Sequence, residues 1–163
     1  MFTQDEKVVY PGHGVARICR VVEKHVGGCA SKFFELRFLN KDMIILVPVS
    51  NAESIGIRRL NSRKNINNVL TFIGRPIEPT CYETVVSNWN KRNKEYQGKI
   101  RSGDLHEIGE IYRSLRHIAH RKELSFGEKK LLSQTEALLV EEIALVKNVV
   151  RERAAAELRS LVE

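Results

Sequence analysis

The chain has 163 residues, of which 42% are hydrophobic and 29% are charged, and its formal net charge is +7. This composition is typical of a folded globular protein and excludes a disordered one. The positive charge favours polyanionic partners. It is concentrated in the centre of the chain, because residues 61–130 carry 14 Lys and Arg against 8 Asp and Glu, a net charge of +6.

The sequence shows no targeting or membrane segment. Its N-terminus lacks the apolar stretch of a signal peptide, and no window approaches the roughly 18 apolar residues of a membrane span. The cysteines, Cys19, Cys29 and Cys81, are odd in number and lack CxxC spacing, so neither a disulfide framework nor a zinc site is indicated. We therefore expect a cytoplasmic chain with reduced thiols and no cofactor.

The N-terminal third has the pattern of short strands joined by tight turns. Glycines mark a turn at 11–14 and a break at 27–28. The predicted strands are Lys7–Tyr10, Val15–Lys24, Lys32–Leu39 and Met43–Val49, and Asn51–Arg58 is predicted to form one helical turn followed by a closing strand. Five short strands in about 55 residues predict a small SH3-like or Tudor-like β-barrel. Pro48 has no N–H for a ladder, so its strand should lie at an edge or end there.

The rest of the chain has helical patterns. Helices are predicted near 66–73, 80–86, 87–101, 104–121 and 125–150, with the tail 151–163 extending the last one. Spacing predicts three capping boxes, in which Thr80 pairs with Glu83, Asp104 with Glu107, and Ser125 with Glu128. The predicted fold is α+β, with a β-barrel domain at 1–60, a linker at 61–66 and an all-helical bundle at 67–163.

The single tryptophan, Trp89, begins a cationic segment. Ser87 as an N-cap would place Trp89 in the first turn of a helix, followed closely by Lys91, Arg92 and Lys94. A flat side chain beside cations suits a nucleic-acid backbone with an apolar wedge next to it. The alternative is that Trp89 packs in the core and the cations form a solvated face. The residues alone leave both open.

No pattern in the sequence indicates an enzyme. His117 and His120 are three residues apart on a predicted helix, but no third ligand stands at a diagnostic metal-binding spacing. The turn Pro11–Gly14 lacks the lysine and hydroxyl residue of a phosphate loop and precedes a strand. No nucleophile with a matching base is recognisable. We therefore predict a protein that is not an enzyme and binds no metal.

The chain resembles the CarD/CdnL family of bacterial transcription regulators over nearly its whole length. In the N-terminal half, the resemblance lies in Val8–Val15, Leu46–Ala52 and Ile55–Arg58. In the C-terminal half, it lies in Asn88–Arg92, Ser102–Asp104 and Leu124–Lys130, in the same order. The transcription-repair coupling translocase shares only the N-terminal domain, so the helical half favours the stand-alone regulator.

The resemblance implies that the barrel binds the β subunit of RNA polymerase. Lys24, Leu46 and Pro48 are the implied polymerase contacts. Some family members carry an arginine where this chain has Leu46, so we expect apolar packing at that edge rather than a salt bridge.

The resemblance also implies that the helical domain meets promoter DNA at the upstream edge of the transcription bubble. Trp89 would then wedge into the minor groove, while Lys91, Arg92 and Lys94 hold phosphates. The implied function is a monomeric, cytoplasmic regulator, nucleoid-associated through RNA polymerase, that stabilises the open promoter complex without sequence specificity. Two alternatives stay open: an adaptor that binds polymerase without touching DNA, and a nucleic-acid binder that needs no polymerase.

Overall fold

The computed structural model describes residues 2–76 and 89–163 of the chain. It divides into two compact units, one ending at Leu60 and the other beginning at Asn61. The first unit is a β-sheet and the second is helical, so the predicted α+β fold is confirmed. The predicted helix at 80–86, the Thr80–Glu83 pair, Cys81 and the N-cap Ser87 lie outside the described residues.

The N-terminal unit is a five-stranded antiparallel sheet in the order β4-β3-β2-β1-β5. Its strands are β1 Lys7–Tyr10, β2 Gly14–Val26, β3 Cys29–Phe38, β4 Ile44–Pro48 and β5 Arg58–Arg59, with a single helical turn, α1 Ala52–Ile55, before the last. Gly12 and Gly14, with φ of 79° and 106°, turn the chain between β1 and β2. The strand that contains Pro48 lies at one edge of the sheet, as its missing N–H predicts.

One face of this sheet is the core of the unit. Val8, Ile18 and Leu36 are fully buried there, and Val47 of β4 is 3% exposed. Side chains alternate across a strand, so the neighbour of Val47, Leu46, points to the opposite face. The outer face is therefore left for solvent or a partner.

The helical unit contains five described helices packed around apolar stripes. They are α2 Arg63–Ile73, α3 Trp89–Ser102, α4 Leu105–Arg121, α5 Phe126–Lys147 and α6 Arg151–Ser160. The first turn of α2 overlaps the end of the predicted linker at 61–66. The stripe predicted on α4 is buried, including Ile108, Tyr112 and Leu115. None of the helices in the described part of the chain has the length and apolar character needed to cross a bilayer.

The capping predictions differ in outcome. The box at α5 is confirmed, because the Glu128 N–H donates to Ser125 Oγ at 3.2 Å and the Ser125 N–H donates to Glu128 Oε1 at 3.0 Å. Asp104 does cap α4, but it accepts from the His106 N–H at 2.9 Å. The carboxylate of Glu107 accepts instead from the Ser102 hydroxyl at 2.7 Å, so the prediction of a reciprocal box there is wrong.

The prediction that residues 151–163 extend the last helix is also wrong. Helix α5 ends at Lys147, and Asn148 adopts a left-handed conformation with φ 56° and ψ 50°. Asparagine tolerates this conformation better than most residues, so it ends helices as glycine does. The chain then begins α6, whose Ala154 and Leu158 pack into the core of the helical unit.

A buried carboxylate holds the first residue of the helical unit. Glu142 of α5 is 2% exposed. Its Oε2 accepts hydrogen bonds from the backbone N–H of Asn61 at 3.0 Å and from the Asn61 side-chain amide at 2.7 Å. Because charged acceptors form strong hydrogen bonds, this contact fixes the chain where the helical unit begins.

Replacing Glu142 with Ala should lower the free energy of unfolding of the helical unit by about 2 kcal/mol, because two hydrogen bonds to a charged group are removed and the Asn61 donors are left unpaired. Urea unfolding followed by Trp89 fluorescence measures this, since the only tryptophan lies in that unit. Glu123→Ala is the matched control, because the Glu123 side chain is 89% exposed. Equal stability of the two variants would contradict the anchoring role of Glu142.

Candidate nucleic-acid interface

Trp89 is neither fully exposed nor fully in the core. It is the first residue of α3, and its indole is partly buried against an apolar cluster that includes Ile100, Leu115 and Leu131. The position of Trp89 therefore agrees only in part with each predicted alternative, the exposed wedge and the core residue. The ring is anchored in the helical unit while part of it faces solvent.

The indole lies over the first turn of α5, at Gly127. A Cβ built on Gly127 would stand 3.1 Å from Cζ2 of Trp89 and 3.6 Å from its Cε2 and Nε1. Any side chain at position 127 would therefore push against the ring. The missing side chain of Gly127 makes a slot for the indole, which the sequence analysis did not identify.

A groove of about 580 Å³ opens beside the ring. It is lined by Trp89, Asn93 and Gln97 of α3 and by Gly127, Lys130, Leu131 and Gln134 of α5. Amide and ammonium donors beside an aromatic ring match the phosphate, sugar and base-edge oxygens of DNA. Lys130, which the sequence analysis left without a role, thus lies at the same site as Trp89.

The predicted cations of α3 are not all at the ring. Lys91 and Lys94 are exposed. At about 100° per residue, they lie roughly 160° and 140° around the helix from Trp89. Lys91 and Lys94 therefore lie on nearly the opposite side of α3 from the ring, whereas Lys130 lines the groove beside it.

Arg92 has a different environment from the lysines. It is 8% exposed, and its guanidinium carbon lies 5.4 Å from the centroid of the Trp89 ring. Its Nη2 lies 3.8 Å from Oε2 of Glu128, which is 3% exposed. The predicted phosphate contact of Arg92 stays a prediction, while in the structure its neighbours are an indole and a buried carboxylate.

Phe126 is a residue of this region that the sequence analysis missed. It is the first residue of α5, next to Gly127, and it is 85% exposed. Its position is off the buried stripe of α5, which contains Leu131 and Leu139. That offset from the helical period was the signal that could have identified it. A large apolar side chain therefore stands in water beside the Trp89 slot.

The three predicted polymerase contacts share one face of the N-terminal sheet. The antiparallel register sets Lys24 opposite Ser31, Pro48 opposite Phe33, and Leu46 opposite Glu35. Paired residues share a face, and every second residue of a strand lies on the same face. The structure thus brings Lys24, Leu46 and Pro48 to one side of the sheet.

Apolar exposure on that face is concentrated on the edge strand β4. Ile44 is 50% exposed and Leu46 is 38% exposed. The alternation of Met43–Val49 places residues 44, 46 and 48 together, so Ile44 could have been identified from its spacing. Arg20 and Glu35 form an ion pair at 3.2 Å on the same side of the sheet.

His117 and His120 of α4 are placed among other groups of the helical unit. His120 Nε2 lies 2.6 Å from the Val162 carbonyl oxygen. Burial lowers the pKa of His117, and the nearby positive charges of Arg113 and Arg121 lower it further. Among residues 2–76 and 89–163, no three His, Cys, Asp or Glu side chains are grouped as metal ligands.

The carboxylate of Glu128 is ionised although it is buried. Burial raises its pKa, but the hydrogen bonds of Ser125 and the positive charges of Lys122 and Arg92 outweigh burial, so that the pKa lies below the ordinary 4.5. Oε2 of Glu128 accepts no hydrogen bond from the described residues and has Arg92 Nη2 at 3.8 Å. The ionised carboxylate is therefore stabilised mainly by the hydrogen bonds from Ser125 and, at longer range, by two cations.

The helical unit should lose stability in acid through Glu128. Because its folded pKa is depressed below 4.5, the ionised form stabilises the fold above pH 4.5, and this contribution disappears as the pH falls through the folded pKa. Glu128→Gln keeps a capping side chain, and it should cost about 1 kcal/mol at neutral pH and remove this part of the acid dependence. Urea unfolding monitored by Trp89 fluorescence from neutral pH to below pH 4.5 measures both. Parallel pH profiles of wild type and variant would contradict the assignment.

Each of the two units is similar to a known protein domain. Residues 2–61 match the family model described as the CarD-like/TRCF RID domain, and residues 80–159 match the CarD C-terminal domain. A protein of Bacillus subtilis (strain 168) named "Putative transcription factor YdeB" is 24% identical over 149 residues, which span 91% of this chain and 94% of that protein.

A solved structure is also similar to the N-terminal part. The solution NMR structure of the 72-residue N-terminal domain of Myxococcus xanthus CarD is 29% identical, covers 36% of this chain and 79% of that domain, and gives a TM-score of 0.32. Since the two family models together match most of the chain in the expected order, the chain belongs to the CarD family of transcription regulators, with an RNA-polymerase-interacting domain followed by a CarD C-terminal domain.

Proposed function

We propose that this regulator binds the β subunit of RNA polymerase and, without sequence specificity, the promoter DNA at the upstream edge of the transcription bubble, and so stabilises the open complex. The observation that carries the proposal is the indole of Trp89, seated on Gly127 with part of its surface in solvent and the exposed Lys130 in the groove beside it. The protein would act in the cytoplasm as a monomer, so that one chain makes both the polymerase contact and the DNA contact.

The DNA contact follows from this arrangement of one ring and several cations. A ring that enters the minor groove lies between two phosphate strands, so cations are useful on both sides of it. Lys130 lines the groove beside the ring and would meet the nearer strand, while Lys91 and Lys94, exposed on the far side of α3, would meet phosphates farther along the duplex. Phosphate contacts carry no sequence information, which supports binding at many promoters.

Preference for the open complex follows from the energy of inserting a wedge. Separating two stacked base pairs costs a few kcal/mol in intact duplex and less where the strands have already begun to part. Trp89 would therefore bind the edge of a bubble more tightly than closed DNA. A ligand with such a preference shifts the equilibrium toward the open state by its difference in affinity.

The polymerase contact is assigned to the outer face of the sheet at β4. Ile44 and Leu46 expose apolar surface there, and Lys24 adds a cation on the same side. As an edge strand, β4 also has backbone groups that a strand of the β subunit can pair with, although Pro48 supplies no N–H. Binding at this face would hold the helical unit near the promoter and raise its effective concentration there.

One observation favours a second candidate, the adaptor that does not touch DNA. Trp89 contacts the apolar cluster of the helical unit, as a purely structural tryptophan would. The two candidates differ in what removal of the indole does to the open complex.

Trp89→Ala should shorten the lifetime of the open promoter complex about tenfold, because an inserted or stacked aromatic ring contributes on the order of 1–3 kcal/mol. Its affinity for the β subunit should stay unchanged, since the sheet is intact. Dissociation of open complexes after a heparin challenge measures the lifetime, a pull-down with the β subunit measures binding, and circular dichroism verifies the fold. An unchanged lifetime in a folded variant would favour the adaptor.

The lysines provide the matched comparison for this experiment. Lys91→Gln/Lys94→Gln keeps the ring and should reduce the log–log salt dependence of DNA binding by about 1.8, at about 0.9 for each phosphate that is no longer neutralised. Lys64→Gln changes an exposed lysine of α2 and should leave this salt dependence unaltered. A salt dependence that is the same in all three chains would remove Lys91 and Lys94 from the DNA interface.

Leu46→Thr should weaken binding to the β subunit about fivefold, because apolar surface is removed from the edge strand while a β-branched residue preserves the strand. Leu39→Thr is the control, since Leu39 is 42% exposed against 38% for Leu46 but follows the end of β3. Titration of the immobilised β subunit with each variant gives the affinities. Equal losses of affinity for the two variants would contradict the assignment of this face.

A further inference from the structure

Arg92 differs from every other cation near the candidate DNA site in its burial. It is 8% exposed, whereas Lys91, Lys94 and Lys130 are exposed. A phosphate group cannot approach a guanidinium that is covered to this extent without a rearrangement of its surroundings. The guanidinium of Arg92 therefore interacts with neighbouring side chains of the helical unit.

Those neighbours are an indole, a phenol and a carboxylate. The guanidinium carbon lies 5.4 Å from the Trp89 ring centroid, within the range of a cation–π contact. Its Nη2 lies 3.8 Å from Oε2 of Glu128. Burial raises the pKa of Tyr96, and a hydrogen bond between its hydroxyl and Arg92 opposes that rise. One side chain thus joins the first turn of α3, its second turn and the start of α5.

The orientation of the indole has consequences for a wedge. A tryptophan that rotates freely must be ordered when it enters DNA, and ordering a side chain at an interface weakens binding. A ring that is already oriented avoids this loss. Gly127 bounds one part of the indole, and the planar guanidinium of Arg92 lies at another.

We propose that Arg92 is a positioning residue for Trp89: its guanidinium holds the indole in the orientation that enters DNA, and Glu128 holds the guanidinium. Glu128 belongs to the capping box of α5, so the capped end of α5 sets the angle of a ring carried by α3. The first part of this inference concerns the free protein. Only its last step, entry into DNA, rests on the proposed function.

The first experiment measures the mobility of the indole directly. Trp89 is the single tryptophan, so time-resolved fluorescence anisotropy of the full chain reports this ring alone. Arg92→Lys keeps the positive charge and loses the planar group, and it should increase the fast component of the anisotropy decay and raise acrylamide quenching about twofold. Glu128→Gln keeps a capping side chain and removes the charge that holds Arg92, so it should change both signals in the same direction.

The second experiment measures the consequence for DNA. Arg92→Lys should shorten the open-complex lifetime about fivefold, the scale of one cation–π interaction, without changing the salt dependence of DNA binding. A phosphate contact at Arg92 would instead leave both the lifetime and the salt dependence nearly unchanged, because lysine can replace arginine as a point charge. The control is Lys99→Gln, which breaks the 3.2 Å ion pair of Lys99 with Glu110 and should leave the anisotropy and the lifetime unchanged.

The outcomes separate the inference from the proposed function. Unchanged anisotropy in folded Arg92→Lys and Glu128→Gln chains overturns the positioning role, whatever the DNA result. A more mobile ring with an unchanged lifetime overturns its importance for DNA, provided that Trp89→Ala shortens the lifetime. If Trp89→Ala does not shorten it, the proposed function fails, and the anisotropy alone decides whether Arg92 orients the ring.

Discussion

The carboxylate of Glu128 is the group on which the candidate DNA surface depends. One of its oxygens accepts from the Ser125 N–H and closes the first turn of α5. The other faces Arg92, whose guanidinium lies at the Trp89 ring. A charge buried in this way is stable only while its partners stay in place, since an uncompensated buried carboxylate is costly. The start of α5 and the start of α3 are therefore parts of one electrostatic arrangement.

Burial divides the positive charge of this region into two kinds. Arg92 is covered within the helical unit and faces the Glu128 carboxylate. Lys91, Lys94 and Lys130 keep their charge in water, where it can attract a polyanion at long range. The net charge of the central segment is unaffected by this pairing, because Arg92 and Glu128 both lie within residues 61–130 and cancel. In the proposed function, the exposed ammonium groups would attract DNA, and the covered guanidinium would orient the ring.

Local patterns in the sequence predict the elements better than they predict the site. Alternation indicated the strands, the missing N–H of Pro48 indicated an edge strand, and Ser125 with Glu128 indicated the start of α5. Asn148 was missed because its left-handed conformation interrupts a helical pattern that continues on both sides of it. The contact between Gly127 and Trp89 joins residues far apart in the chain, and no local spacing encodes it. The burial of Arg92 has the same origin, since it depends on a carboxylate from another helix.

The slot beneath Trp89 links two positions that are otherwise free to vary separately. A chain that acquired a side chain at position 127 would have to move its indole, and a chain without the indole would leave a gap over the first turn of α5. Substitutions at the two sites should therefore be tolerated together rather than singly. Among homologous sequences, the residue types at positions 89 and 127 then indicate together whether the ring is still packed over the first turn of α5.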